Sequence, residues 1–285
     1  MNPKLSVVIP AKNEARSLSS VLGGVRQHAA DAEIIVVNDG STDDTAAVAR
    51  AAGAQVIDHP YSKGNGAAIK TGARAATGDV IIFMDADGQH SPADIPRLLA
   101  KLAEGYDLVV GARGRGSQAS LARGFGNWLY NKLASWIVGH RVPDLTSGFR
   151  AVRARAFREF LYLLPNGFSY PTTSTMAFFR AGYGVAFVDI VAAKREGKSH
   201  IRLARDGGRF LLIIFKIGTL YSPLKVFVPV SAFFFASGCW YYSYTYIMDG
   251  RFTNFGALLF TAAVLIFMIG LLSEQITQLL YRPSQ

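Results

Sequence analysis

Hydrophobic and polar positions change rhythm twice along this chain. In the first part, short apolar runs rich in β-branched residues recur at 5–10 (LSVVIP), 33–37, 54–57, 79–84 (DVIIFM) and 107–111, and each predicts a strand. Between them the spacing turns helical. Leu18, Val21, Leu22 and Val25 recur at intervals of three and four. Residues 42–52 read as a helix with Asp43 and Asp44 in its first turn, where the helix dipole favours acids. An alanine-rich helix follows Gly64-Asn65-Gly66, and Pro92 opens another. This alternation predicts an α/β fold with an open, mainly parallel sheet, helices on both faces and ligands at the carboxyl ends of the strands.

The second rhythm occupies 201–221. Basic residues at 202, 205, 209 and 216 alternate with an apolar group at 210–215, as in a helix lying in a membrane interface; a linker helix with a solvated basic face is the alternative. The third rhythm is apolar throughout. Residues 226–248 and 252–273 carry no charge and are separated by Asp249-Gly250-Arg251. Each run, as a helix, is about 33 Å long, enough for a hydrocarbon core of about 30 Å. Trp240, Tyr241, Tyr242, Tyr244 and Tyr246 cluster near the end of the first run, as an interfacial aromatic belt would. Buried helices of a soluble core seldom run so long without a charge, so a two-span hairpin is expected.

Composition sharpens this division. The chain has 285 residues, 50% hydrophobic and 18% charged, with a net charge of +10. Its mean hydropathy is +0.22 and its pI about 9.8. Residues 1–193 hold 20 Lys and Arg against 16 Asp and Glu, whereas 194–225 hold 8 against 2. The basic excess therefore sits beside the hairpin, which favours an anionic membrane surface over nucleic acid. By the positive-inside rule both termini face the cytoplasm, and the first ten residues are too short in apolar length for a signal peptide. The resulting division is 1–200, 201–225 and 226–281. A single cysteine, Cys239, excludes an intramolecular disulfide and a multi-cysteine zinc site.

Three strand ends are polar: Pro10-Ala11-Lys12-Asn13-Glu14, Asn38-Asp39, and Asp85-Ala86-Asp87-Gly88-Gln89-His90. In a parallel sheet all three converge on one edge. Asp85 and Asp87, one residue apart after an apolar strand, suit a hard divalent cation such as Mg²⁺ that takes its remaining ligands from a diphosphate. An isolated D-x-D is weak evidence, since Asp is common in turns; its place directly after VIIFM, with two other polar strand ends expected beside it, is what strengthens the reading. His90 reads either as a turn histidine or as a support for the aspartates. There is no P-loop and no G-x-S-x-G elbow, Gly64-Asn65-Gly66 lacks the third glycine of a dinucleotide fingerprint, and the five histidines are scattered.

The motifs PAKNEA (10–15), VVNDGSTDDT (36–45), KGNGAA (63–68), DADGQH (85–90), GAR (111–113) and TSGFRA (146–151) together resemble the family 2 inverting glycosyltransferases of the GT-A (Rossmann-like) fold. Within them the chain is similar to the dolichyl-phosphate mannose synthase and polyprenyl-phosphate glycosyltransferase group. The resemblance implies transfer of one sugar from a nucleotide sugar to a polyprenyl phosphate such as undecaprenyl or dolichyl phosphate, with inversion and with a divalent cation, Mg or Mn. It places Pro10, Lys12 and Glu14 around the base and ribose, and Val37 and Asp39 at the nucleoside. Asp85, Ala86 and Asp87 fall at the metal and diphosphate, with Gln89 as a further metal residue, and Arg113 and Arg123 at phosphates. Arg123 reads as well as a helix-surface cation. The loop KREGKSH (194–200) resembles the family's basic stretch, which makes Lys194, Arg195 and Lys198 phosphate contacts, although His200 stands where lysine is usual. A second departure is FSYPTTSTM (168–176), which faces the sugar in that fold and lacks the acid many relatives carry. A short two-span anchor favours a UDP-sugar over a GDP-sugar. The resemblance also implies a multi-pass plasma-membrane protein, no nucleic-acid partner and a possible homo-oligomer. Two other readings stand beside it: a membrane glycosyltransferase with a saccharide or glycerolipid hydroxyl as acceptor, which would need a general base, and a non-catalytic scaffold that binds nucleotide sugar or lipid.

Overall fold

A computed structural model of the chain describes residues 3–114, 121–167, 169–191 and 218–280, with the backbone alone at 121–127, 129, 249 and 280. The chain divides into two compact units, Met1–Trp136 with His140–Ser199, and Ile137–Gly139 with His200–Gln285. Of the expected interfacial segment 201–225, residues 201–217 lie outside the described residues, as do Lys194, Arg195 and Lys198, and 218–221 are helical.

Unit 1 opens with β1 (Leu5–Ala11), α1 (Ala15–His28), β2 (Glu33–Asn38), α2 (Thr45–Ala51), β3 (Gln55–Asp58), α3 (Asn65–Ala75) and β4 (Val80–Phe83). A 3-10 turn at Pro92–Asp94 leads into α4 (Ile95–Ala103), followed by β5 (Leu108–Arg113) and α5 (Leu121–Val138). The unit closes with β6 (Arg150–Arg153), α6 (Ala154–Glu159), α7 (Tyr170–Arg180) and β7 (Val185–Ile190). The five strands expected from the apolar runs all form. They join a seven-stranded sheet in the order β3-β2-β1-β4-β6-β5-β7. Pairing is parallel except at β6, which runs antiparallel to both β4 and β5.

Alternation along the strands covers both faces of the sheet. Val7 and Ile9 of β1 pack in one core with Leu18, Leu22 and Val25 of α1 and with Ile95 and Leu98 of α4. Val8 points the other way, toward α3. That helix carries small residues because it must lie close: a Cβ at Gly72 would run into the side chains of Val8 and Val37. On the same side, Phe157 of α6 is fully buried, with its ring centroid 4.6 Å from that of Phe83.

Two features of the sheet shape its carboxyl edge. Pairing of β1 with β4 stops at Val8↔Phe83. Two residues on, Pro10 has no N–H to extend that ladder, so the two strand ends are free to part. Strand β6 pairs Arg150 with Phe83, the last residue of β4. Because β6 runs backwards, the residues before it, 146–149, arrive beside the end of β4. A parallel strand in that slot would have delivered them to the opposite edge.

In unit 2 two helices, Pro223–Asp249 and Asn254–Leu280, form a hairpin turned at Gly250, whose φ of 64° suits glycine. The second helix continues about two turns beyond the charge-free run, through Glu274 to Leu280. Small residues set the contact: Gly238 receives Phe260, Gly270 receives Phe227, and Ser231 Oγ donates to the Ala263 carbonyl at 2.8 Å. Windows of membrane-spanning length in the two helices are only 6% and 17% buried. A soluble core helix would have its apolar side chains covered; these leave Phe233, Leu258, Val264 and Leu272 exposed.

Replacing Phe157 by alanine would leave a cavity under β4, and comparable losses cost about 3–5 kcal/mol. The expected outcome is a clearly lowered melting midpoint for the detergent-solubilised full chain carrying Phe157→Ala.

Candidate active site

A cleft of about 430 Å³ opens at the carboxyl edge of the sheet. The end of β1 supplies Pro10, Ala11, Lys12 and Glu14, and the end of β2 supplies Asp39. Ser62, Gly64, Asn65 and Ala68 come from the start of α3 and the loop before it, and Asp85, Ala86, Asp87 and Gln89 from beyond β4. Thr146 and Gly148 precede β6, and Tyr170 and Pro171 begin α7. The three polar strand ends therefore share one cavity, as parallel strands require.

The walls are tied together by side-chain hydrogen bonds. Asn13, at a left-handed φ of 56° that asparagine tolerates, receives the Thr42 N–H on Oδ1 at 2.8 Å, and its own N–H donates to Ser41 Oγ at 3.0 Å. The Glu14 N–H donates to Thr45 Oγ1 at 2.9 Å. Asp39 is the hub of the next loop. It accepts from His59 Nδ1 at 2.7 Å, Ser62 Oγ at 2.8 Å, the Lys63 N–H at 2.8 Å and the Gly64 N–H at 2.9 Å. Burial alone would push this carboxyl up, but the four donors outweigh it and hold its pKa below the usual carboxylate value. Lys12 Nζ joins the network through Ser62 Oγ at 3.0 Å.

The KGNG glycines are also explained by packing. Gly64 sits at φ 101°, and both Gly64 and Gly66 face the backbone of residues 165–167, where a Cβ would collide. The Ala67 N–H donates to the Asn166 carbonyl at 3.1 Å.

Asp85 presents a different balance. A third of its side chain is open to the cleft, yet the dense protein around it raises its pKa through desolvation, and the nearby Asp87 adds to the rise. His90 Nδ1 lies 3.8 Å from Asp85 Oδ2, on a ring stacked over Phe149 at 5.3 Å. Burial lowers the pKa of that imidazole. On the other side a Cβ at Gly148 would come within 2.6 Å of Asp85 Oδ2, so glycine is what allows the approach. Three buried polar atoms have no hydrogen-bond partner among the described residues: His90 Nδ1, Ser147 Oγ and Arg150 Nε. All three belong to segments flanking Asp85. Among the described residues no group of three or more His, Cys, Asp or Glu could cage a metal. What the cleft offers is a pair of hard carboxylate donors with the Gln89 amide beside them. That donor set fits a divalent cation whose coordination is completed by a ligand's oxygens.

Several expected residues sit elsewhere. Val37 is fully buried against Gly72, so its side chain does not reach the cleft. Arg113 does not line the cleft either. Its Nε donates to Asp144 Oδ2 at 2.7 Å, and its Nη2 donates to Asp144 Oδ1 at 3.1 Å and Thr146 Oγ1 at 2.6 Å. Three of its five N–H donors are thus committed, where the sequence suggested a cation offered to phosphates. Burial would lower its pKa, but the Asp144 carboxylate more than restores it. Arg123 falls on α5 at a position whose side chain is not described.

Two residues that support the cleft wall from behind were not singled out by the sequence. Asp144, buried and held ionised by Arg113 against the cost of burial, orients Thr146 through its N–H at 3.0 Å. Arg150 is wholly buried. It donates from Nη1 to the Pro171 carbonyl at 3.0 Å and Ser174 Oγ at 2.7 Å, and from Nη2 to the Ser147 carbonyl. It thereby staples α7 to the 146–149 segment.

Comparison with known proteins agrees with this geometry. Residues 6–161 match the family described as Glycosyl transferase family 2, and residues 222–279 match the GtrB C-terminal hairpin. Glycosyltransferase AglJ of Haloferax volcanii is 28% identical over 96% of this chain and 93% of its own length. The undecaprenyl-phosphate 4-deoxy-4-formamido-L-arabinose transferase of Klebsiella pneumoniae is 40% identical over 53% of this chain and 49% of its own. Among solved structures, glucosyl-3-phosphoglycerate synthase from Mycobacterium tuberculosis, in complex with Mn²⁺, UDP-glucose and phosphoglyceric acid, superposes with a TM-score of 0.60. The two are 26% identical, with 75% of this chain and 80% of that one covered.

The Asp39 network has a pH signature. A carboxyl whose pKa is depressed in the folded state stabilises fully above its unfolded pKa of about 4, and this is lost as pH falls through the lower folded value. Asp39→Asn is therefore expected to melt well below the wild type at pH 7, and the gap should narrow as the pH is taken below about 4.

Proposed function

Because the chain belongs to glycosyl transferase family 2, has the GT-A fold and is a glycosyltransferase, we propose that it transfers a single sugar from a nucleoside diphosphate donor to a polyprenyl phosphate at the cytoplasmic face of the plasma membrane. The observation that carries this reading is the Asp85–Asp87 pair opening into the strand-end cleft of a chain that also has a hairpin of membrane-spanning length. The match to the GtrB hairpin and the undecaprenyl-phosphate transferase of K. pneumoniae support the acceptor, and the Mn²⁺ and UDP-glucose of the M. tuberculosis synthase support the donor and the cation.

In this reading Pro10, Lys12 and Glu14 frame the base and ribose, with Asp39 fixing the loop beneath them and Val37 contributing through its backbone. Asp85, Asp87 and Gln89 would hold a divalent cation, Mg or Mn, with Ala86 between the two aspartates. When bound, that cation offsets negative charge on the departing nucleoside diphosphate. Tyr170 and Pro171 bound the sugar. Arg113, Arg123, Lys194, Arg195 and Lys198 set the field that draws in the acceptor phosphate, Arg113 as one half of an ion pair. The acceptor is an anion already, so one of its oxygens forms the bond to the anomeric carbon as the bond to the diphosphate oxygen breaks, with inversion and without a general base. Attack from the face opposite the leaving group requires the cleft to bind the donor in a fixed orientation, which its tied walls favour.

The test is transfer by detergent-purified full chain, given a polyprenyl phosphate, Mg²⁺ or Mn²⁺, and a panel of labelled UDP- and GDP-sugars. Label should enter the lipid, disappear with EDTA, and fall by about 10²–10³-fold in kcat/KM for Asp87→Ala. Release of nucleoside diphosphate without lipid labelling would transfer the assignment to a hydroxyl acceptor. Gly148→Ala makes a second prediction. Its methyl would displace the Asp85 carboxylate, and a shift of about 1 Å at such a site costs up to about 10²-fold in rate. Transfer should drop, while binding of the nucleotide measured without divalent cation, which does not run through Asp85, changes less.

A further inference from the structure

Helix α5 has two opposed faces. Tyr130, Ala134 and Ile137 are buried, whereas Trp128, Lys132 and Trp136, spaced four apart, are exposed. The two tryptophans are 48% and 50% exposed, a large apolar area to leave in water. Lys132 Nζ lies 4.9 Å from the centre of the Trp128 ring, so the ridge alternates aromatic and cation. Trp128 and Lys132 also border a groove of about 790 Å³ whose wall includes the exposed Arg141. Among the groove's lining residues Asp189 is the one acid. In sequence, residues 108–143 contain five basic residues and no Asp or Glu; of these Arg113 is paired with Asp144, while Lys132 and Arg141 are exposed.

We propose that the outer face of α5 docks on the surface of an anionic bilayer, with Trp128 and Trp136 seated among the headgroups and Lys132 and Arg141 paired with lipid phosphates. Tryptophan combines an apolar ring with an N–H donor and so partitions to the membrane–water boundary. Lysine beside it reaches outward to the phosphates while its stem covers apolar surface. A lipid surface suits this face better than a protein partner, because its exposed charged side chains, Lys132 and Arg141, are both basic and the chain also contains two apolar helices of membrane-spanning length. The docking follows from exposure and charge and holds whichever acceptor the cleft uses.

The experiment places full-length protein in nanodiscs of phosphatidylcholine and phosphatidylglycerol, with or without lipids brominated close to the headgroup. Trp136→Phe with Trp240→Phe leaves Trp128 as the single tryptophan, and Trp128→Phe with Trp240→Phe leaves Trp136. Emission from each should be quenched in brominated discs, and the quenching should weaken when Lys132→Glu and Arg141→Glu are added to variants that keep their melting midpoint. Equal emission in brominated and plain discs would overturn the proposal. Bromine-insensitive, blue-shifted emission that grows with the number of copies per disc would also overturn it, in favour of a second copy covering the face. No turnover is measured, so failure here is distinct from failure of the proposed reaction.

Discussion

A carboxylate held at the end of a core strand, in surroundings that resist its ionisation, is the constraint from which the rest of the catalytic unit follows. Asp85 comes directly after Val80–Phe83 and Met84, all buried, and a second acid stands two residues on. Two such charges cannot both be kept near low-dielectric protein without compensation. The arginines close enough to help are engaged with other partners. Arg113 is paired with Asp144, and Arg150 is spent on the Pro171 and Ser147 carbonyls. Their fields reach Asp85 but their hydrogen bonds do not. Among the described residues no arginine donates to Asp85, and three buried polar atoms nearby have no partner. A site intended only for stability would have closed these bonds, since an unmade buried hydrogen bond costs about 1–3 kcal/mol.

The antiparallel strand β6 makes that environment possible. It is the means by which a segment distant in sequence, 146–149, is laid along the end of β4, and Gly148 is the residue that lets it come close. Around this contact the other walls are fixed by local polar bonds rather than by apolar packing. Asp39 gathers the 59–64 loop, Asn13 and Glu14 fasten the loop after β1 to that after β2, and Arg150 secures α7. Loops held in this way lose little entropy when a ligand arrives, which is how a surface cleft becomes a preorganised one.

How far this could be read from sequence depended on whether a signal was local. The five strands at 5–10 through 107–111 are short β-branched runs between turn residues, and all of them form. Asp85 and Asp87 were legible because a strand end is a predictable place. Strand β6 was not, since four residues with arginine at both ends show neither apolar continuity nor alternation, and only its neighbours β4 and β5 make it a strand. The same limit applies to Arg113. A basic residue at a strand end looks available until the fold brings Asp144, 31 positions away, against it. Asp39 likewise reads as a ligand contact by position, and the structure adds that four donors of its own chain already converge on it.

The hairpin is held together differently from the catalytic unit. Its two helices meet through glycines that admit Phe260 and Phe227, and through one serine–carbonyl bond, so close contact is concentrated on one narrow stripe. The remaining circumference exposes leucine, phenylalanine and valine along most of both helices. In water that surface would be a severe liability; in hydrocarbon it carries no penalty, and the helical backbone bonds are made within each helix except at Pro229, which has no N–H to donate. Length alone would not separate a membrane span from a buried helix. The exposure of the apolar side chains does, because a soluble protein would have had to cover them.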